Sequence, residues 1–170
     1  LLHNRIYSNK VICTKCNPLI LNKSSLQFEI TNFIKRFHND IKINYRRLGK
    51  ELDIYIPELK LAFEINGLYW HNELQKPNNY HLNKTELCEK NEILLTHIWE
   101  DDWIYKQDIV KSIILKKLRK IPNKIHAKET KLKEITDNKL VKEFLEKNHI
   151  MGFIGSKIKL GLYYNNEMVS

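Results

Sequence analysis

The sequence predicts an α/β domain over residues 23–122, with a central mixed β-sheet flanked by helices. Two patterns indicate this class. Apolar residues recur at three- and four-residue spacing in the first segment, and they alternate with polar residues in two later segments. The predicted order is helix, three strands, helix, strand and helix, which is typical of a sheet covered on its faces by helices.

The first helix is predicted to begin at Ser24, which forms a capping box with Gln27, and to end near residue 39. A strand is expected at residues 41–45, followed by a basic turn. The predicted buried face of the helix consists of Leu26, Ile30, Phe33, Ile34 and Phe37.

Two alternating segments, residues 51–56 and 60–66, predict a β-hairpin with Pro57 at the start of its turn. If the turn is centred after Glu58, Asp53 faces Glu64 across the hairpin, with Cβ atoms about 4.5–5.5 Å apart. Two like charges at that distance repel, and a divalent cation bound to carboxylate oxygens would compensate. Asn66 follows on the same face. The alternative is a solvated sheet face with scattered charges.

Beyond a loop at residues 67–79, the pattern predicts a helix over residues 80–90 and a buried strand over residues 93–99. His97 on that strand is expected to be a hydrogen-bonded core histidine. Asp101 and Asp102 are expected to cap one long helix that reaches about residue 120, before Pro122.

Residues 123–170 are predicted to be a linker followed by the start of a further α/β module, whose activity the sequence does not assign. Residues 124–136 suit a linker or an edge strand, and Asp137 is expected to cap a helix that ends near residue 148. Asn165 and Asn166 predict a hairpin turn. Because the chain opens on Leu1 and stops within an expected strand, it is expected to be part of a longer protein.

The net charge of +9 is unevenly distributed: residues 1–50, 51–104 and 105–170 carry +8, −7 and +8. Basic flanks around an acidic centre suit a nuclease, in which the flanks attract phosphates and the acids hold a cation. The alternative is an ordinary lysine-rich protein. No apolar run has the length of a membrane span and no signal peptide is apparent. With three cysteines, a reducing, cytoplasmic setting is expected.

Cys13 and Cys16 form a CxxC motif with the spacing of a zinc knuckle. Structural zinc needs four ligands; His3 is a candidate third and no fourth is evident. Residues 1–22 are therefore predicted to be part of a zinc-ribbon-like segment that binds Zn²⁺ together with residues upstream of Leu1.

Two motifs carry a family resemblance: Leu-Asp-Ile-Tyr-Ile-Pro from residue 52, and Glu-Ile-Asn-Gly-Leu-Tyr-Trp-His from residue 64. Together they resemble the very-short-patch mismatch repair endonucleases and their phage homing-endonuclease relatives, members of the PD-(D/E)xK superfamily. The resemblance covers about residues 24–118. It implies a restriction-endonuclease-like core and a phosphodiesterase that uses Mg²⁺ or Mn²⁺.

By this resemblance Asp53 is the principal metal ligand, with Glu64 beside it, and the backbone carbonyl of Ile65 is a further ligand. Glu29 on the first helix matches an acid that orients water or metal, and His71 matches an active-site histidine.

The chain departs from the family pattern at one position. Asn66 stands both where the repair enzymes have a second histidine and where the wider superfamily has its lysine. A carboxamide cannot supply a positive charge, and Lys84 on the following helix is a candidate replacement. The alternative is that Lys84 is a surface lysine and that His71 has this role.

The leading hypothesis is a site-specific, homing-type or repair-like endonuclease that cuts double-stranded DNA and is encoded by a phage. Homing-type cleavage is favoured because the CxxC and the C-terminal module suggest additional site recognition. A non-catalytic DNA-binding protein with a nuclease-like fold and a ribonuclease are the alternatives. Neither the target sequence nor the oligomeric state follows from the sequence.

Overall fold

The computed structural model describes residues 6–7, 10–11, 23–46, 49–67, 79–121 and 124–170. The predicted zinc ligands Cys13 and Cys16 lie outside these residues, as does His71. The chain divides into two compact units, Leu1–Gln107 and Asp108–Ser170. This division falls earlier in the chain than the boundary expected after residue 122. None of the described helices is long and apolar enough to cross a membrane.

The first unit is built on a four-stranded mixed sheet, as the alternation of helix and strand patterns predicted. The strand order is β3-β4-β5-β6, in which β3, β4 and β5 are antiparallel and β6 is parallel to β5. Two short strands, β1 and β2, pair with each other. The elements are β1 Ile6–Tyr7, β2 Lys10–Val11, α1 Lys23–Lys35, β3 Lys42–Tyr45, β4 Leu52–Ile56, β5 Leu61–Asn66, α2 Tyr80–Lys90, β6 Leu94–Trp99 and α3 Glu100–Tyr105.

The hairpin between β4 and β5 has the predicted register. Ile54 pairs with Phe63, Tyr55 with Ala62 and Ile56 with Leu61, and the observed pairing ends there, one step before Asp53 and Glu64. A single 3₁₀ turn, Pro57–Leu59, joins the strands. Proline suits the first position of this turn because its φ is already fixed near the helical value.

Helices cover both faces of this sheet. On one side α1 contacts β5, and its residues Leu26, Ile30 and Ile34 are buried at helical spacing. On the other side α2 contacts β6, and Cys88 of α2 packs with Ala62 of β5. Side chains alternate along a strand, so Ala62 and Glu64 share a face. The polar face of the hairpin is therefore buried beneath α2, and the alternative of a solvated sheet face is wrong.

The long helix expected after β6 is two helices. α3 ends at Tyr105 and α4, Gln107–Lys117, begins after Lys106, whose φ of −133° and ψ of 38° interrupt the helical backbone. Asp101 and Asp102 lie within the first turn of α3, and Trp99 is the cap residue. The predicted capping role of these acids is therefore wrong, although acids in a first turn still interact favourably with the helix dipole.

The second unit contains a three-stranded antiparallel sheet in the order β7-β8-β9 and the helix α5. The Asp137 carboxylate caps α5 as predicted, accepting hydrogen bonds from the backbone N–H groups of Lys139 and Leu140 at 2.8 and 3.3 Å. Asn165 and Asn166 have φ values of 49° and 66° and form the predicted turn. The strands and helix are β7 Lys131–Glu134, α5 Asn138–Asn148, β8 Leu160–Tyr164 and β9 Glu167–Met168.

Candidate metal and catalytic site

Asp53 is held at the point where β4 and β5 separate. Pairing between the two strands ends at Ile54 and Phe63, whereas β5 continues along β6 as far as Asn66. The Asp53 side chain is 2% exposed, and its Oδ2 accepts the backbone N–H of Ile65 at 2.8 Å. The carboxylate thus replaces a backbone partner in the sheet and is fixed beside β5.

Helix α1 holds Asp53 from its backbone side. Gln27 donates through Nε2 to the Asp53 carbonyl oxygen at 2.9 Å and to Asn44 Oδ1 at 2.9 Å. Asn44 has a φ of 52°, an uncommon conformation for a residue other than glycine. The sequence assigned Gln27 only to a capping box. Gln27 follows the buried Leu26 in the sequence, and this adjacency was the only indication that its side chain could reach the sheet.

Glu64 and Lys84 form a buried ion pair. Lys84 Nζ lies 2.5 Å from Glu64 Oε2, and both residues are 2% exposed. Lys84, in the first turns of α2, thus reaches Glu64 of the hairpin, as its place in that helix predicted, and the alternative of a surface lysine is wrong.

Asn66 begins a chain of hydrogen bonds that ends on the backbone of α2. Asn66 Nδ2 lies 3.1 Å from His97 Nδ1, and His97 Nε2 lies 3.2 Å from Thr85 Oγ1. The Thr85 hydroxyl donates to the backbone carbonyl of His81 at 2.9 Å. His97 is thus the hydrogen-bonded histidine expected from the sequence. No local sequence pattern indicates the link through Thr85.

His97 has a lowered pKa. Burial, followed by the nearby His81 and Lys84 charges, lowers the pKa of its imidazole from 6.5 to about 4. The ring is therefore neutral at neutral pH and carries one N–H. The His81 ring lies 5.4 Å from that of His97 and 5.7 Å from that of Trp99. These rings line the same side of the sheet as Glu64 and Asn66.

Glu29 is placed differently from the two hairpin acids. It is an exposed residue of α1, and its Oε2 accepts a hydrogen bond from the Trp103 indole at 3.0 Å. Trp103 is itself buried in α3. The described contact of Glu29 therefore links two helices, and its predicted role in orienting water or metal stays a prediction, as does that of the Ile65 carbonyl.

The donor atoms suit a hard divalent cation. Among the described residues no group of three or more histidine, cysteine, aspartate or glutamate side chains could hold a metal. Mg²⁺ needs no such group, since it is commonly bound by one or two carboxylates together with waters and substrate phosphates. Asn66 is fully buried, and in the described part of the chain its Oδ1 has no hydrogen-bond partner. An amide oxygen is a ligand that fits such an ion.

Comparisons with protein-family models, with curated proteins and with solved structures find no match to this chain. The chemistry of the site therefore has to be inferred from the side chains that the fold brings together.

Proposed function

We propose that this protein is a metal-dependent endonuclease that hydrolyses phosphodiester bonds of double-stranded DNA. The observation that carries the proposal is the burial of Asp53, Glu64 and Lys84 at one place in the sheet, each 2% exposed. Removing ionised groups from water costs several kcal/mol per ion, in order of magnitude. A hairpin with apolar residues available for its core gains little from such a cluster unless the charges serve a function.

Each side chain has a distinct task in this proposal. Asp53 and Glu64 hold Mg²⁺ or Mn²⁺, which when bound polarises the scissile phosphate and activates water. Carboxylate oxygens are ligands that these hard cations prefer. Lys84 keeps a positive charge next to Glu64, where it stabilises the negative charge that develops on the phosphate oxygens.

The basic parts of the chain supply affinity for the DNA backbone. The second unit, Asp108–Ser170, contains fourteen Lys and Arg residues against seven Asp and Glu. Basic residues bind phosphates with little regard to sequence and release counterions. The basic charge thus supports binding to DNA in general, whereas the resemblance of the two motifs to phage homing and mismatch repair endonucleases is what favours site-specific, homing-type cleavage.

One observation favours a second candidate, a non-catalytic DNA-binding protein that keeps the fold. Glu64 and Lys84 contact each other directly, without a ligand between them. A buried ion pair of this kind can have a purely structural role, which here would be to fix the packing of α2 on the sheet. The two candidates make different predictions for Asp53, which in such a binding protein has a structural role, such as the hydrogen bond from Ile65.

Nicking of supercoiled plasmid in the presence of Mg²⁺ tests the proposal. The wild-type chain should nick, EDTA should stop it, and Asp53→Asn should lose cleavage while keeping DNA binding. Asp40→Asn is the matched control, because Asp40 is an exposed acid outside the site. Binding without metal-dependent cleavage would favour the non-catalytic candidate, and cleavage of RNA alone would favour a ribonuclease.

A further inference from the structure

The hydrogen-bond chain through Thr85 and His97 determines which end of the Asn66 amide faces the site. The His81 backbone carbonyl can only accept a hydrogen bond, so the single hydroxyl proton of Thr85 points to it at 2.9 Å. Thr85 Oγ1 must then accept from His97 Nε2, 3.2 Å away. His97 therefore carries its proton on Nε2.

This tautomer leaves His97 Nδ1 as an acceptor. Its neighbour at 3.1 Å has to be the NH₂ group of Asn66, so Asn66 Oδ1 points away from the histidine. That oxygen is buried and has no partner among the described residues. A buried acceptor without a partner costs about 1–3 kcal/mol, and a bound ion is one way in which such a group is satisfied.

We propose that Asn66 contributes its amide oxygen to a divalent cation at the Asp53 site, and that His97 and Thr85 are positioning residues that keep this oxygen turned towards the ion. The inference rests on the proposed function and deepens it. Asn66 would then act as a neutral ligand beside two acids. The positive charge that a lysine at this position would carry comes instead from Lys84 of α2.

The test uses the full chain and a pair of substitutions at Thr85. Thr85→Val removes the hydroxyl with almost no change of shape, so His97 Nε2 loses its acceptor, the Nδ1–H tautomer becomes accessible, and the amide can turn over. Thr85→Ser keeps the hydroxyl and should therefore keep the wild-type tautomer of His97 and the wild-type affinity for Mg²⁺. Thr96→Val is the matched control, because Thr96 precedes His97 on β6 and its side chain lies on the other face of the sheet.

Two measurements without DNA decide the outcome. Long-range ¹H–¹⁵N correlation spectra report the His97 tautomer, and calorimetry reports the affinity for Mg²⁺. We expect the Nε2–H form in the wild type and in Thr85→Ser, and a larger Nδ1–H population in Thr85→Val. Mg²⁺ affinity should fall about 10- to 100-fold in Thr85→Val, the usual effect of removing a group that orients a metal ligand. Asn66→Ala should weaken binding at least as much.

The inference and the proposed function fail in different ways. An Nδ1–H tautomer in the wild type, or Mg²⁺ affinity that neither Asn66→Ala nor Thr85→Val changes, would overturn the inference and leave metal-dependent cleavage standing. A wild-type chain that shows the expected tautomers and affinities but does not nick DNA would overturn the proposed function alone. A wild-type chain that does not bind Mg²⁺ would overturn both.

Discussion

Replacing Lys84 by methionine should destabilise the first unit strongly. Methionine keeps most of the length of the side chain but removes the ammonium that lies 2.5 Å from Glu64 Oε2, and both residues are 2% exposed. Removing one partner of a buried ion pair typically costs about 3–5 kcal/mol, because the other charge stays buried without its counterpart. The double variant Lys84→Met/Glu64→Gln leaves neither charge and should recover most of this loss.

Urea unfolding followed by tryptophan fluorescence measures the unfolding free energy of the first unit. The three tryptophans, Trp70, Trp99 and Trp103, all belong to the unit Leu1–Gln107. The matched control is Lys60→Met/Glu92→Gln, which removes an exposed ion pair and should leave the unfolding free energy nearly unchanged.

Cleavage by the same variants separates a catalytic pair from a structural one. If Glu64 and Lys84 act in the reaction as a metal ligand and a charge donor, the double variant should be stable and inactive. Two results would refute the reasoning. Unchanged stability in Lys84→Met would mean that the pair contributes nothing, and wild-type cleavage by the stable double variant would mean that its role is only structural.

Three other predictions concern pH, helix capping and DNA affinity. His97 has a folded pKa of about 4, below its ordinary 6.5, so the unfolded chain binds the proton first as pH falls. Its contribution to stability should be complete above pH 6.5 and be lost towards pH 4, and His97→Phe should flatten this part of the pH profile of urea unfolding. Asp137→Ala should lower the stability of α5 by about 1 kcal/mol, measured from unfolding followed by far-ultraviolet circular dichroism. Asp137→Asn keeps a hydrogen-bond acceptor and should retain most of the stability of α5. Equal losses in the two variants would contradict a capping role. The logarithm of the DNA association constant should fall by about 0.9 per phosphate contact for each tenfold rise in salt; a constant affinity would mean that the basic flanks do not contact DNA.

Local sequence pattern was enough to predict most elements of the first unit. The alternation on both sides of Pro57 specified the hairpin, and the position of the turn specified the register of the pairs from Ile56 and Leu61 to Ile54 and Phe63. The bounds of α2 agree with the prediction because Asn79 and Asn91 delimit its helical pattern. The reach of Lys84 to Glu64 followed from its place one turn into that helix.

Tertiary packing decided what the sequence could not show. The apolar pattern continues across Lys106, where no proline or glycine marks the break between α3 and α4. Alternation identified the polar face of the hairpin, but nothing local indicated that α2 would bury it. The contacts of Gln27 with Asp53 and of Thr85 with His97 join residues far apart in sequence, and spacing along one element does not report them.

A crystal structure with Mn²⁺, with data collected near the manganese absorption edge, would show whether Asp53 and its neighbours hold a divalent cation. We expect an anomalous peak within coordinating distance of the Asp53 carboxylate and of Asn66 Oδ1, and no peak there in Asp53→Asn. A peak elsewhere, or none at a Mn²⁺ concentration that supports cleavage, would contradict the assignment of the site.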